Sequence, residues 1–96
     1  MTAQSITKQI IPILKRQGVL KASIFGSFAR GDDNEMSDVD ILVKLENNKT
    51  LFDLVELRML LESKLNKKVD ILTYKSVHPF LRKAILQEQK LIYEKR

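Results

Sequence analysis

Cysteine and tryptophan are missing from this 96-residue chain, and histidine occurs once. Without cysteine there are no disulfides, no thiolate metal sites and no cysteine nucleophile. Aromatic residues make up only 6%, and they do not interleave with the basic residues as single-strand nucleic-acid binding favours. No apolar run approaches the roughly 20 residues that span a bilayer. The opening segment, MTAQSITKQIIPILKRQ, alternates polar and apolar positions and carries no signal-peptide core. A soluble, cytoplasmic protein without membrane association is expected. The length leaves room for a single small domain, 1–96, and not for a second of ordinary size. Such a domain buries a smaller share of its surface than a larger one, so its stability is modest without a partner.

Basic charge is plentiful but unevenly placed. The chain holds 17 Lys and Arg against 12 Asp and Glu, a net +5. Five of the acids (Asp32, Asp33, Glu35, Asp38 and Asp40) fall in one short stretch that contains no base. A basic surface around a concentrated acidic patch suits a polyphosphate that arrives with divalent metal. It suits an acidic partner protein or nucleic acid as well, since net charge speaks to association and not to fold.

No repeat, low-complexity tract or linker interrupts the chain. Ile6, Ile10, Ile13 and Leu14 recur at helical spacing over residues 4–17, with Gly18 as a stop. Pro12 within that pattern predicts a kink or a late start. Residues 19–25 (VLKASIF) and 38–45 (DVDILVKL) read as strands. Thr50 caps a predicted helix over 51–66, Val69–Thr73 is a third strand, and Pro79 opens a last helix over about 79–90. The order is helix, strand, strand, helix, strand, helix. It predicts an α/β (α+β) layer, a small mixed sheet with helices packed on one side.

Chemistry concentrates at Asp38 and Asp40. Residues two apart on a strand project from one face, with Cα atoms roughly 6.5 Å apart. Val39, Ile41, Val43 and Leu45 then form the apolar face, and the other face opens with two carboxylates. Such a pair raises each other's pKa unless positive charge lies between them, and Mg²⁺ prefers carboxylate and phosphate oxygens. Asp70 is a lone acid in an otherwise apolar strand, facing away from Val69 and Ile71, where it must be paired, exposed or bound to metal. A salt bridge to Lys67 or Lys68 is the plainer alternative. A third carboxylate on the same face would complete a metal-binding triad, and Asp70 could also take the proton from an attacking hydroxyl. Gly26-Ser27 ends an apolar strand, and residues 28–31 (Phe-Ala-Arg-Gly) can form a short helical turn. Glycine lets backbone approach a ligand, the serine hydroxyl and turn N–H groups can hold phosphate, and Arg30 can add a positive charge. Each of these alone fits an ordinary turn or surface residue. Together they meet the needs of phosphoryl-type transfer, which are positioning and charge neutralisation, with two metals roughly 3.5–4 Å apart.

On these residues the chain resembles the nucleotidyltransferases of the DNA polymerase beta superfamily, and within them the minimal, MNT-type antitoxins. Gly26-Ser27 is followed by residues 28–37 and then Asp38-Val39-Asp40, which is the branch's spacing. The string GSFARGDDNEMSDVDILV, Asp70 in KKVDIL, and the terminal runs His78–Leu81 and Leu91–Glu94 extend the resemblance over nearly the whole chain. The resemblance implies a nucleotidyltransferase fold and catalytic, metal-binding roles for Asp38, Asp40 and Asp70. It implies triphosphate contacts at Gly26 and Ser27, beside Arg30. It further implies two Mg²⁺ ions, ATP as substrate, and transfer of AMP to a tyrosine of a HEPN-domain RNase toxin, the activity of a type VII toxin–antitoxin system. Transfer to a small molecule such as an aminoglycoside, and a non-catalytic antitoxin that acts by binding, are the alternatives.

His78 reads as structural or exposed, and the basic residues from Lys64 to Arg96 as a solvated face, so direct nucleic-acid binding is not expected. The 51–66 helix carries more apolar residues than one stripe needs. Its surplus is either core or a face for a second subunit, in a homo- or hetero-oligomer.

Overall fold

The computed structural model describes residues 1–95; Arg96, counted above among the basic residues, lies outside the described residues. Helix α1 (Ala3–Arg16) starts directly after Thr2, which caps it. The Thr2 hydroxyl accepts from the Ser5 N–H at 3.1 Å, while the Thr2 N–H donates to the Ser5 hydroxyl at 2.9 Å. Of the kink or late start expected from Pro12, the late start does not occur, and the helix continues through it. The proline removes one donor from the interior, and the buried stripe of Ile6, Ile10, Ile13 and Leu14 holds the helix together across it.

Four strands form one sheet in the order β3-β2-β1-β4, where β1 is Val19–Phe25, β2 is Val39–Leu45, β3 is Val69–Thr73 and β4 is Lys90–Glu94. Strand β1 pairs antiparallel with β2 and β4, and β2 pairs parallel with β3. A parallel pair needs a crossover, supplied by helix α3 (Leu51–Leu65). A single turn of helix, α2 (Ser27–Arg30), follows β1, and α4 (Pro79–Glu88) follows β3. The fourth strand was not expected. Gln89 leaves α4 in an extended conformation, and the five residues after it, of which only Lys90 was read above as helix and the rest as no element, join the edge of the sheet. Short edge strands carry too little periodicity to be told from a helix end.

One hydrophobic core lies between the sheet and the two longer helices. Val39, Ile41 and Val43 from β2, Ala22 and Ile24 from β1, and Val69 from β3 meet Ile6, Ile10 and Leu14 of α1 and Leu57, Leu61 and Leu65 of α3. The alternation along β2 is as the sequence predicts. Leu42, on the opposite face, is nevertheless fully buried, as is its cross-strand partner Ser23. On the face of β2 that carries the acids, Asp40 is therefore half-buried and Lys44 exposed, with buried Leu42 between them. Helix α4 buries none of its residues. Its start is capped by His78, whose Nδ1 accepts from the Phe80 N–H at 3.2 Å, so the single histidine is structural and exposed.

Candidate active site

Asp40 is the second residue of β2, and its side chain leaves the sheet on the face opposite the core. The parallel register sets Asp70 directly beside it on β3, so two carboxylates from neighbouring strands project together. Asp70 is exposed and belongs to an edge strand. The two carboxyls are in hydrogen-bond contact, and Asp40 is pushed up to about 6. Burial contributes most to that rise, followed by the negative charges of Asp70 and Asp38 and the contact with Asp70, while Arg30 opposes it.

Asp38 behaves differently from the expectation of a shared strand face. It lies one residue ahead of β2, and its Oδ2 is 4.0 Å from the Lys68 ammonium. The lysine considered as a partner for Asp70 thus pairs with Asp38. Lys67 is engaged elsewhere, donating to the carbonyls of Glu35 at 2.9 Å and Ser37 at 3.3 Å. Among the described residues no three acids or histidines are gathered closely enough to hold an ion as they stand. The donor set nevertheless fits a hard divalent cation: three carboxylates lie near one strand start, and burial together with the charges of Asp70 and Asp38 raises Asp40, a strain that a cation there would relieve.

Gly26 supplies the link to the other half of the site. It follows β1, whose last residue Phe25 is the cross-strand partner of Asp40. Its φ of +73° and ψ of −152° suit glycine alone. A Cβ added there would fall on the Asp40 carboxylate. Absence of a side chain at position 26 therefore lets the Gly-Ser turn close over the acid. Ser27 then opens α2, which Phe28 and Ala29 fix by inserting into the core. Arg30, at its end, is exposed, with Nε 3.0 Å from Asp32 and Nη1 3.1 Å from Glu88. Those two carboxylates raise its already high pKa.

Glu88 escaped the sequence analysis. Its Oε1 accepts from the Gly26 N–H at 2.7 Å as well as from Arg30. A signal was available: Glu88 is the only acid of α4 and sits on its last residue, where the helix dipole disfavours negative charge. The sequence alone names no cation to compensate it.

A mixed sheet that presents paired carboxylates beside a glycine-serine turn is the architecture of a nucleotidyltransferase. The family described as polymerase beta, nucleotidyltransferase, matches residues 8–96, and the chain belongs to it. A Methanocaldococcus jannaschii protein named as a candidate protein adenylyltransferase is 52% identical over 88 residues, covering 92% of this chain and 95% of the relative. The protein adenylyltransferase MntA of Thermococcus cleftensis is 39% identical over 74 residues, covering 77% of this chain and 75% of that one. Among solved structures, a candidate minimal nucleotidyltransferase superposes with a TM-score of 0.81 at 33% identity, over 94% of this chain and 95% of the other. The same fold occurs in a toxin–antitoxin complex with AMP-PNP, at TM-score 0.80 and 24% identity over 94% and 74% of the two chains. It occurs again in a complex of tri-AMPylated Shewanella oneidensis HEPN toxin with MNT antitoxin, at TM-score 0.74 and 22% identity over 96% and 72%. No helix among the described residues is long and apolar enough to cross a membrane.

Proposed function

We propose that this chain, as one minimal nucleotidyltransferase domain spanning 1–96, is a cytoplasmic Mg²⁺-dependent protein adenylyltransferase and the antitoxin of a HEPN-domain toxin. The observation that carries the reading is the juxtaposition of Asp40 and Asp70 beside Gly26. The strong similarity to protein adenylyltransferases supports it independently.

In this reading Asp38, Asp40 and Asp70 hold Mg²⁺, two ions in the usual pattern, which supply Lewis-acid neutralisation of the oxygens at phosphorus. The Gly26 N–H, Ser27 hydroxyl and Arg30 guanidinium hold the triphosphate of ATP. A toxin tyrosine oxygen attacks the α-phosphorus and forms a new P–O bond. The bond to the bridging oxygen of the β-phosphate breaks, and pyrophosphate leaves. The phenolic proton passes to Asp70, the exposed member of the set. Because the chemistry needs little beyond positioning and neutralised charge, a chain this small suffices for it. The acceptor is large and comes with its own surface. The exposed apolar face of α3, with Phe52 at 86% and Met59 at 61% exposure, supports a partner-bound state.

The test is transfer of label from α-³²P-ATP in the presence of Mg²⁺, with the HEPN toxin and an aminoglycoside offered as competing acceptors. Label is expected on the toxin band. Label on the small molecule alone would overturn the assignment of acceptor.

A further inference from the structure

The groups that face an incoming triphosphate already hold an anion. One oxygen of Glu88 accepts from both the Gly26 N–H (2.7 Å) and Arg30 Nη1 (3.1 Å). These two donors lie on the turn that closes over Asp40. A carboxylate oxygen between an N–H and a guanidinium makes the charge-assisted bonds that a phosphate oxygen would make.

We infer that Glu88 is an internal substitute for phosphate, and that nucleotide enters this site only by displacing the Glu88 carboxylate and the end of α4 that carries it. This rests on the nucleotidyltransferase reading of the site and adds a control to it.

Three features make the contact displaceable. Helix α4 buries none of its residues, so no core packing opposes its movement. Its C-terminal end is held by polar contacts alone, which can exchange with water: Gln89 lies 3.3 Å from the Tyr74 hydroxyl, which in turn lies 2.9 Å from the hydroxyl of buried Ser23. An acid at a helix C-terminus is disfavoured by the helix dipole, which leaves Glu88 dependent on its contacts with Gly26 and Arg30. A triphosphate at the same donors would meet the Glu88 carboxylate as a like charge. When the site is competent in only a fraction of molecules, apparent affinity falls by that fraction.

The test is calorimetric binding of Mg²⁺–AMP-PNP, and separately of inorganic tripolyphosphate, to the parent chain and to Glu88→Gln and Glu88→Ala. Glu88→Gln keeps the side-chain shape and removes the charge, so it remains informative if the alanine variant is impaired. Both variants are expected to bind each probe about fivefold or more tightly than the parent, by the fraction of molecules released. KM for ATP should fall by the same factor, with kcat unchanged. Tyr74→Phe, which loosens the end of α4 without touching Gly26 or Arg30, should give a smaller gain in the same direction. Equal or weaker binding by both Glu88 variants would overturn the inference. The two readings separate cleanly. Tighter binding without transfer to any toxin would sustain the Glu88 contact and contradict the transferase assignment. Intact transfer without tighter binding would do the reverse.

Discussion

Gly26 leaves β1 with a positive φ and with the Asp40 carboxylate where its Cβ would be. The residue type is therefore demanded twice, by backbone conformation and by the acid behind it. Gly26→Ala should destabilise the fold by about 1–3 kcal/mol through backbone strain. It should lower transfer by on the order of 100-fold by moving Asp40. Denaturant unfolding and single-turnover rates on one preparation check both; a variant as stable and as active as the parent would contradict the account. Asp40 itself carries a pH signature. Its pKa is about 6 in the fold against an ordinary 3.8, so between those values the folded chain keeps a proton that the unfolded chain has released. Its contribution to stability consequently declines as pH rises from about 4 to 6 and stays low above that. Asp40→Asn removes the penalty: without metal it should melt higher than the parent near neutrality and equal to it near pH 4 or below. Catalysis runs the other way. A protonated Asp40 cannot hold Mg²⁺, so kcat/KM for ATP should fall as pH drops through about 6. At this scale the proximity of Gly26, Ser27, Arg30, Asp38 and Asp40 was legible because they are close in sequence, whereas Asp70 is set beside Asp40 by the pairing of β2 with β3. The Lys68 partner of Asp38 and the Glu88 partner of Arg30 were not legible, since each depends on which segments the fold brings together.

The elements divide by how much of their burial is periodic. Helix α3 buries Leu57, Leu61 and Leu65 at intervals of four and leaves Phe52, Val55 and Met59 exposed on its other side. The excess of apolar residues visible in the sequence is thus split between core and surface. Leu61→Ala should cost about 2–5 kcal/mol, whereas Met59→Ser should stay within about 0.5 kcal/mol of the parent; thermal unfolding of the two side by side tells them apart. The start of α3 was readable from Thr50, although the capping acceptor is Asp53, which takes the Thr50 N–H at 2.7 Å. Strand β2 was readable from alternation, except that Asp38 falls just outside it. Strand β4 was missed because its pairing with β1 is long-range in sequence and its five residues follow α4 after one extended residue. Helix α1 was readable from its periodicity, although Pro12 does not delay its start, because four buried apolar side chains sustain it.

At the scale of the whole molecule, the fold concentrates acid at one corner of a chain that is basic elsewhere. Removing the five clustered acids from the count leaves 17 bases against seven acids, a surface that draws in polyphosphate and an acidic partner alike. The mixed sheet is what makes the corner. Parallel pairing of β2 with β3 sets Asp70 beside Asp40, and antiparallel pairing of β1 with β2 ends β1 at the same place, so that Gly26 follows next to the acids. The order of elements in the sequence predicted the layered fold. The strand order that builds the site became visible only with the pairing. The central claim is transfer of AMP to a partner protein by these carboxylates. It is tested most directly by the intact mass of the HEPN toxin, co-expressed with this chain or with its Asp38→Asn/Asp40→Asn variant. The account predicts a toxin heavier by one or more AMP units with the parent chain and of unchanged mass with the variant. An unmodified toxin that is silenced equally by both would contradict it.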